Sequence, residues 1–348
     1  MNATAETLPV AKAPAHKTHR FALLLRREYW EHRGGFFWAP AIAGTISLLL
    51  TAILLVVAAV GMRNADADAD IVLDDGSRMS INGLDLGLLA DQMSASDKAQ
   101  LASGIDLTML LSSAWPYIVM MFVMFFYCLG ALYDERKDRS VLFWKSLPVS
   151  DGETVLSKAV SATLVVPLLA TLIAIATMLV FLVMLSVMVM IHGGNAWELI
   201  WGPGNPLAIS AYALAAIPVY AIWALPTVGW LMLCSAWARS VPFLWALLVP
   251  ILGGGFMSMF GVFHLFNIDG GWFWTNIVAR MLLGAVPLTQ HDIARLDGVD
   301  IEHDGVLQLI EPSGVYSNLL QPELWIGAAA GVAMLMLATR LRRWRDEG

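Results

Sequence analysis

Charge is scarce in this sequence, and scarcest in its long apolar stretches. Asp, Glu, Lys and Arg make up only 14% of the chain, apolar residues 58%, and the mean hydropathy is +0.67. A soluble domain carries about a quarter charged residues, so this is the composition of a membrane protein. Cysteine is nearly missing. Cys128 and Cys234 both fall inside apolar runs, which argues against a disulfide framework and leaves no C-x-x-C pair for metal or redox chemistry. Several catalytic signatures are missing too: the His-Glu-x-x-His of zinc proteases, the Gly-x-Ser-x-Gly of serine hydrolases and the Gly-x4-Gly-Lys-Ser/Thr phosphate loop. No enzyme activity, cofactor or metal is expected of the chain itself. If transport here uses ATP, another chain must bind it.

Crossing the hydrocarbon takes about 20 mostly apolar residues per helix. Six runs qualify: 38–61, 109–132, 159–190, 209–236, 241–263 and 324–339. The first is too long for the apolar core of a cleaved signal and is expected to stay as a span. The third is over-long and should tilt or project. The chain divides into a flexible N-terminus (1–17), one transmembrane domain (18–340) and a basic C-terminus (341–348).

Loop charges predict the orientation. With the N-terminus in the cytoplasm, that side collects 16 of the 21 basic residues; the outer side keeps Arg63, Arg78, Lys98, Arg280 and Arg295. Of the 28 acidic residues, 18 fall outside, most of them in the long outer segments 62–108 and 264–323. This obeys the positive-inside rule at every boundary, and adding or losing one span would break it. Leu84–Leu89 predicts a short helix in the first outer segment. In the second, Gly271-Trp272-Phe273-Trp274 and the apolar stretch 277–288, too short to span, read as re-entrant or interfacial.

Candidate ligand sets in these loops are weak. Asp66-Ala67-Asp68-Ala69-Asp70 lacks the glycine and glutamate that a calcium loop needs at its sixth and twelfth positions, which here are Ile71 and Ser77. It reads as a solvated acidic loop. His291-Asp292 and Glu302-His303-Asp304 have loose spacing and no thiolate. The six runs hold no Asp, Glu, Lys, Arg or His in their interiors. A proton relay needs titratable groups there, so a self-powered pump or antiporter is disfavoured, although carbonyls at broken helices can still bind sodium. Pro218, Pro226, Pro250 and Gly253-Gly254-Gly255 fit ordinary span residues, with hinge roles the lesser alternative.

Two segments on the cytoplasmic side carry a more specific pattern. Before the first run, Phe21, Leu24, Leu25, Tyr29 and Trp30 stand beside Arg26 and Arg27. That is the character of a helix lying in the headgroup layer, or of a basic topology anchor. Between the second and third runs, the cluster Asp134-Glu135-Arg136-Lys137-Asp138-Arg139 leads into Leu142, Phe143, Trp144, Leu147 and Pro148. Leu142, Phe143 and Leu147 can share a helical face. Such a turn docks either on the membrane surface or on a partner protein.

Glu135-Arg136, Leu142, Leu147-Pro148-Val149-Ser150 and Lys158 together resemble the cytoplasmic loop of ABC-2-type exporter permeases, with Asp138-Arg139-Ser140 where that family usually has a Gly-Thr pair. The resemblance covers about 25 residues as a motif and most of the chain as an architecture. It implies an all-α polytopic fold: six transmembrane helices, an N-terminal interfacial helix and a re-entrant segment before the last span. It implies a bacterial-type inner membrane, a second permease chain of the same or a sister kind, and a separate ABC ATPase subunit that binds the ATP. Under it, Glu135, Arg136, Arg139, Leu142, Phe143, Trp144, Leu147 and Pro148 contact that ATPase. Phe21 to Trp30 lie beside them in the bilayer surface, and the turn at Arg239 makes a weaker second contact. No nucleic-acid partner is expected. The alternatives are a non-transporting assembly or sensor subunit, which needs no ATPase, and a stand-alone secondary carrier, which would run on an ion gradient alone.

Overall fold

The computed structural model describes residues 20–64, 68–72, 78–82, 93–140, 149–262, 270–286 and 311–344. It is an all-α polytopic membrane protein, with six helices long and apolar enough to cross a bilayer. The only strands among the described residues are β1 (Asp68–Val72) and β2 (Arg78–Asn82), an antiparallel ribbon pairing Asp70 with Ser80. Part of the expected acidic loop is therefore a strand. The helix expected at 84–89 lies outside the described residues, as do His291 to Asp304.

Helix α1 (Arg20–Arg33) leads into span 1 (Ala39–Asn64) through a π-helical turn, Gly34–Trp38, with His32 off helical geometry just before it. Span 2 is Ala114–Gly130, continued upstream by Ala95–Ser112. That extension begins where the Ser94 hydroxyl accepts from Asp97 N and the Asp97 carboxylate accepts from Ser94 N, a capping box. Polar residues on the extension hide it from a hydropathy window. Span 3 likewise starts at a capping box, Ser150 with Glu153, and runs from Asp151 to Ile191 through a π-helical segment, Ser161–Val165. Spans 4 (Pro206–Trp237), 5 (Pro242–Val262) and 6 (Pro322–Trp344) complete the set.

Spans pack through small residues, as expected where lipid removes the hydrophobic drive between helices. Spans 4 and 6 cross backbone to backbone: a Cβ on Gly331 would stand 2.5 Å from Leu225 O, and one on Gly229 would stand 2.5 Å from Gly331 O. Pro218 and Pro226 lie inside an unbroken span 4. Met120, Met124, Cys128, Val166, Ala224 and Val228 fill the centre between spans 2, 3 and 4. Span 1 keeps Leu49, Ile53, Leu54 and Val57 more than half exposed, a face that only hydrocarbon or another apolar surface would cover.

The segment before span 6 folds back as expected. Thr227 Oγ1 of span 4 donates to Arg280 O at 2.6 Å, Tyr220 donates to Ala285 O at 2.9 Å, and Trp274 Nε1 donates to Ser258 Oγ of span 5 at 2.9 Å. Arg280 is thus not in an outer loop. It lies 4.2 Å over the Trp223 ring and donates from Nη1 to Glu323 O (2.6 Å) and from Nη2 to Leu324 O (3.3 Å). Gly327 makes room for it, since a Cβ there would collide with the guanidinium.

Candidate functional site

At the end of the bundle where α1, the start of span 3 and the end of span 6 meet, three carboxylates and three cations converge. Lys158 Nζ lies 3.0 Å from Glu28 Oε1 of α1 and 3.1 Å from Glu135 Oε1. Arg342 of span 6 reaches Glu135 Oε2 at 2.8 Å and Asp151 Oδ1 at 3.1 Å. Arg27 stands 3.6 Å from Glu135, and Tyr127 of span 2 donates to Glu28 Oε2 at 2.8 Å. Glu28 and Lys158 are only 1% and 2% exposed, so solvent screens this pair little. Burial pushes the Glu135 carboxyl up, but Lys158, Arg342 and Arg27 outweigh it and hold it below the ordinary carboxylate value.

Local sequence explains how these groups meet. In α1, Leu24 and Glu28 are buried one turn apart and face the first turns of span 3, whereas Leu23, Arg26, Trp30 and Arg33 point outward. Phe21, Leu25, Arg27 and Tyr29 lie half-buried between the two faces. The helix is amphipathic as expected, but its inner face carries a carboxylate. His32 stacks on Phe36 and meets the Tyr127 ring edge-on, sealing the network on the span 2 side.

After span 2 comes the short helix Tyr133–Lys137. Ser235 Oγ of span 4 accepts from Leu132 N and Tyr133 N, and Arg136 Nη2 donates to Ser235 O (2.6 Å) and Ala238 O (2.8 Å). Glu135 and Arg136 therefore turn into the bundle, whereas Arg139 is exposed. Leu142, Phe143, Trp144, Leu147 and Pro148 lie outside the described residues.

Two non-glycine residues among those described have left-handed backbone: Arg139 (φ 55°) and Val241 (φ 47°). One ends the Tyr133–Lys137 helix and the other precedes span 5. They occupy the two turns expected to meet a partner, and Arg139 sits within the three residues that replace the usual Gly-Thr pair. Left-handed backbone costs an L-residue about 1–2 kcal/mol, and such strain clusters at functional sites.

The residues that bind these elements together come from four distant parts of the chain: Glu28, Tyr127, Asp151 with Lys158, and Arg342. Lys158 entered the sequence pattern only through the family resemblance. A sequence signal existed for Glu28, an acid on the apolar face of an amphipathic helix. Among the described residues no group of three His, Cys, Asp or Glu side chains is placed to hold a metal ion. Compared with family models, curated proteins and solved structures, the chain matches none.

Proposed function

We propose that this chain is the membrane-spanning permease subunit of an ATP-driven ABC exporter, paired with a second permease and driven by a separate ATPase subunit. The observation that supports this most is the ion network. Through Glu135 it ties the loop after span 2 to α1, to the first turns of span 3 and to the last turn of span 6. Through Arg136 the same loop holds the turn after span 4. A force applied to this loop from outside would reach five of the helices at once. The apolar runs hold no Asp, Glu, Lys, Arg or His to serve a proton relay, which disfavours a self-powered proton carrier.

Under this reading the network end faces the cytoplasm, in the inner membrane of a bacterial-type cell. Glu135 and Arg136 anchor the coupling loop, whereas Arg139, Phe143 and Trp144 grip the ATPase. Aromatic and arginine anchors dominate interface energetics. The path for an apolar or amphipathic cargo runs between the two permeases.

The test is co-purification of the tagged full-length chain from its native membrane, followed by ATPase measurement. The proposal expects a stoichiometric phosphate-loop ATPase. Phe143→Ala plus Trp144→Ala should leave insertion intact and abolish stimulated hydrolysis. Full stimulation in the double variant sinks the coupling assignment, and a chain that purifies with no ATPase sinks the function.

A further inference from the structure

A cavity of about 250 Å³ lies between spans 2, 3 and 4, away from the ion network and beneath Val315 of the short helix Pro312–Ser317. Its depth follows from helix geometry. Pro167 and Met178 on its span 3 wall stand 9 and 20 residues beyond Lys158. At 1.5 Å per residue that is about 13 and 30 Å along the helix. The cavity therefore occupies the middle and far half of a hydrocarbon layer about 30 Å thick.

Its chemistry is narrow. No lining residue carries a charge. Two of its hydroxyls are already committed to backbone: Ser113 donates to Leu110 O and Tyr220 donates to Ala285 O. Met120, Ala174 and Met178 form a fully buried inner wall, and half-buried Tyr117, Tyr212 and Ile217 mark an open side. An apolar cavity of about 150 Å³ already stays dry and takes up benzene. This one is larger, and the solvent at its depth is lipid chains rather than water.

We propose that this cavity is a binding site for one uncharged hydrocarbon chain of a bilayer lipid, entered between Tyr117 of span 2 and Tyr212 of span 4. The site needs neither an ATPase nor a second permease, so it stands or falls apart from the exporter function. The occupant arrives through the membrane. The aromatic side walls hold it by dispersion, and the charge-free lining turns away a headgroup.

The test uses the full-length chain in phosphatidylcholine nanodiscs doped with a phosphatidylcholine carrying a diazirine midway along one acyl chain. After irradiation, peptide mass spectrometry should find adducts on Tyr117, Thr171 or Met178. Ala174→Phe fills the inner wall and should cut those adducts at least tenfold, while adducts on lipid-facing Phe122, which is 52% exposed, stay unchanged. Ala213→Phe fills the cavity from span 4 and should act the same way, keeping the test decisive if one variant fails to fold. Labelling of Phe122 without any cavity adduct overturns the site. So does undiminished cavity labelling in every filled variant that folds.

Discussion

Where α1 meets the ends of spans 2 and 6, cations answer carboxylates: Glu135 alone is shared by Lys158, Arg342 and Arg27, drawn from three different elements. In the far half of the bundle, Arg280 meets no carboxylate at ion-pair distance among the described residues, and rests instead on two carbonyl oxygens and the Trp223 face. Both arrangements keep a charge out of lipid, but they respond to motion differently. A shared carboxylate can trade partners as helices shift, so the network can move and remain satisfied. The carbonyls that hold Arg280 belong to the helix backbone of span 6, so this contact works as a fixed pin. The bundle is thus jointed at one end and pinned in the other half.

The sharpest way to break this comparison is to remove one charge from each region. Lys158→Met leaves Glu28 and Glu135 buried without their common cation. Removing one member of a buried pair costs about 3–5 kcal/mol, which should appear as a large fall in the thermal unfolding midpoint of the detergent-purified chain. Arg280→Met loses two charge-assisted hydrogen bonds, about 1.5–3 kcal/mol each, and a cation–π contact of about 0.5–2 kcal/mol. Relief of the cost of holding that charge half-buried offsets much of this, for a net loss of about 2 kcal/mol. If Arg280→Met proves the more damaging, the assignment of joint and pin is reversed.

The contrast also shows what the sequence carries. Spans were legible because each is a continuous apolar run, and the re-entrant segment because Gly271 to Trp274 and the run after it are too short to cross. Helix extensions were not, since polar residues interrupt Ala95–Ser112 and Asp151–Val160 and hide both from a hydropathy window. The network was least legible. Glu28 and Lys158 are 130 residues apart, and Glu135 and Arg342 are 207 apart. Only the fold places them together. The same holds for Arg280: its position in sequence matches an outer loop, and only Gly327 and Trp223 show where it packs.

Acid should loosen the joint before the pin. The Glu135 carboxyl is held below its ordinary 4.5 by Lys158, Arg342 and Arg27, against the upward push of burial. A depressed folded-state value means that its stabilisation is complete above 4.5 and is lost as the pH falls through the lower folded value. Protection factors for hydrogen exchange at residues 151–160 should therefore fall below about pH 4, while those at 280–283 should not change. Glu135→Gln should be less protected at pH 7 and lack that acid step. An identical acid step in both regions, surviving in Glu135→Gln, would show that the network does not control this end.

The smallest expected effect has the opposite sign and separates folding from partner contact. Glycine adopts left-handed backbone freely, so Val241→Gly and Arg139→Gly remove about 1–2 kcal/mol of strain. They also give the unfolded chain about 0.4–1 kcal/mol of extra entropy. The net gain is a few tenths to about 1 kcal/mol, larger at Val241 because a β-branched residue tolerates that conformation least. Thermal unfolding in detergent should show both variants slightly more stable than the natural chain. If Arg139 contacts an ATPase, Arg139→Gly will then pair a gain in stability with a loss of stimulated hydrolysis, a combination that a purely structural arginine cannot produce. A loss of both, or of neither, removes Arg139 from the contact surface and leaves that role to residues 142–148.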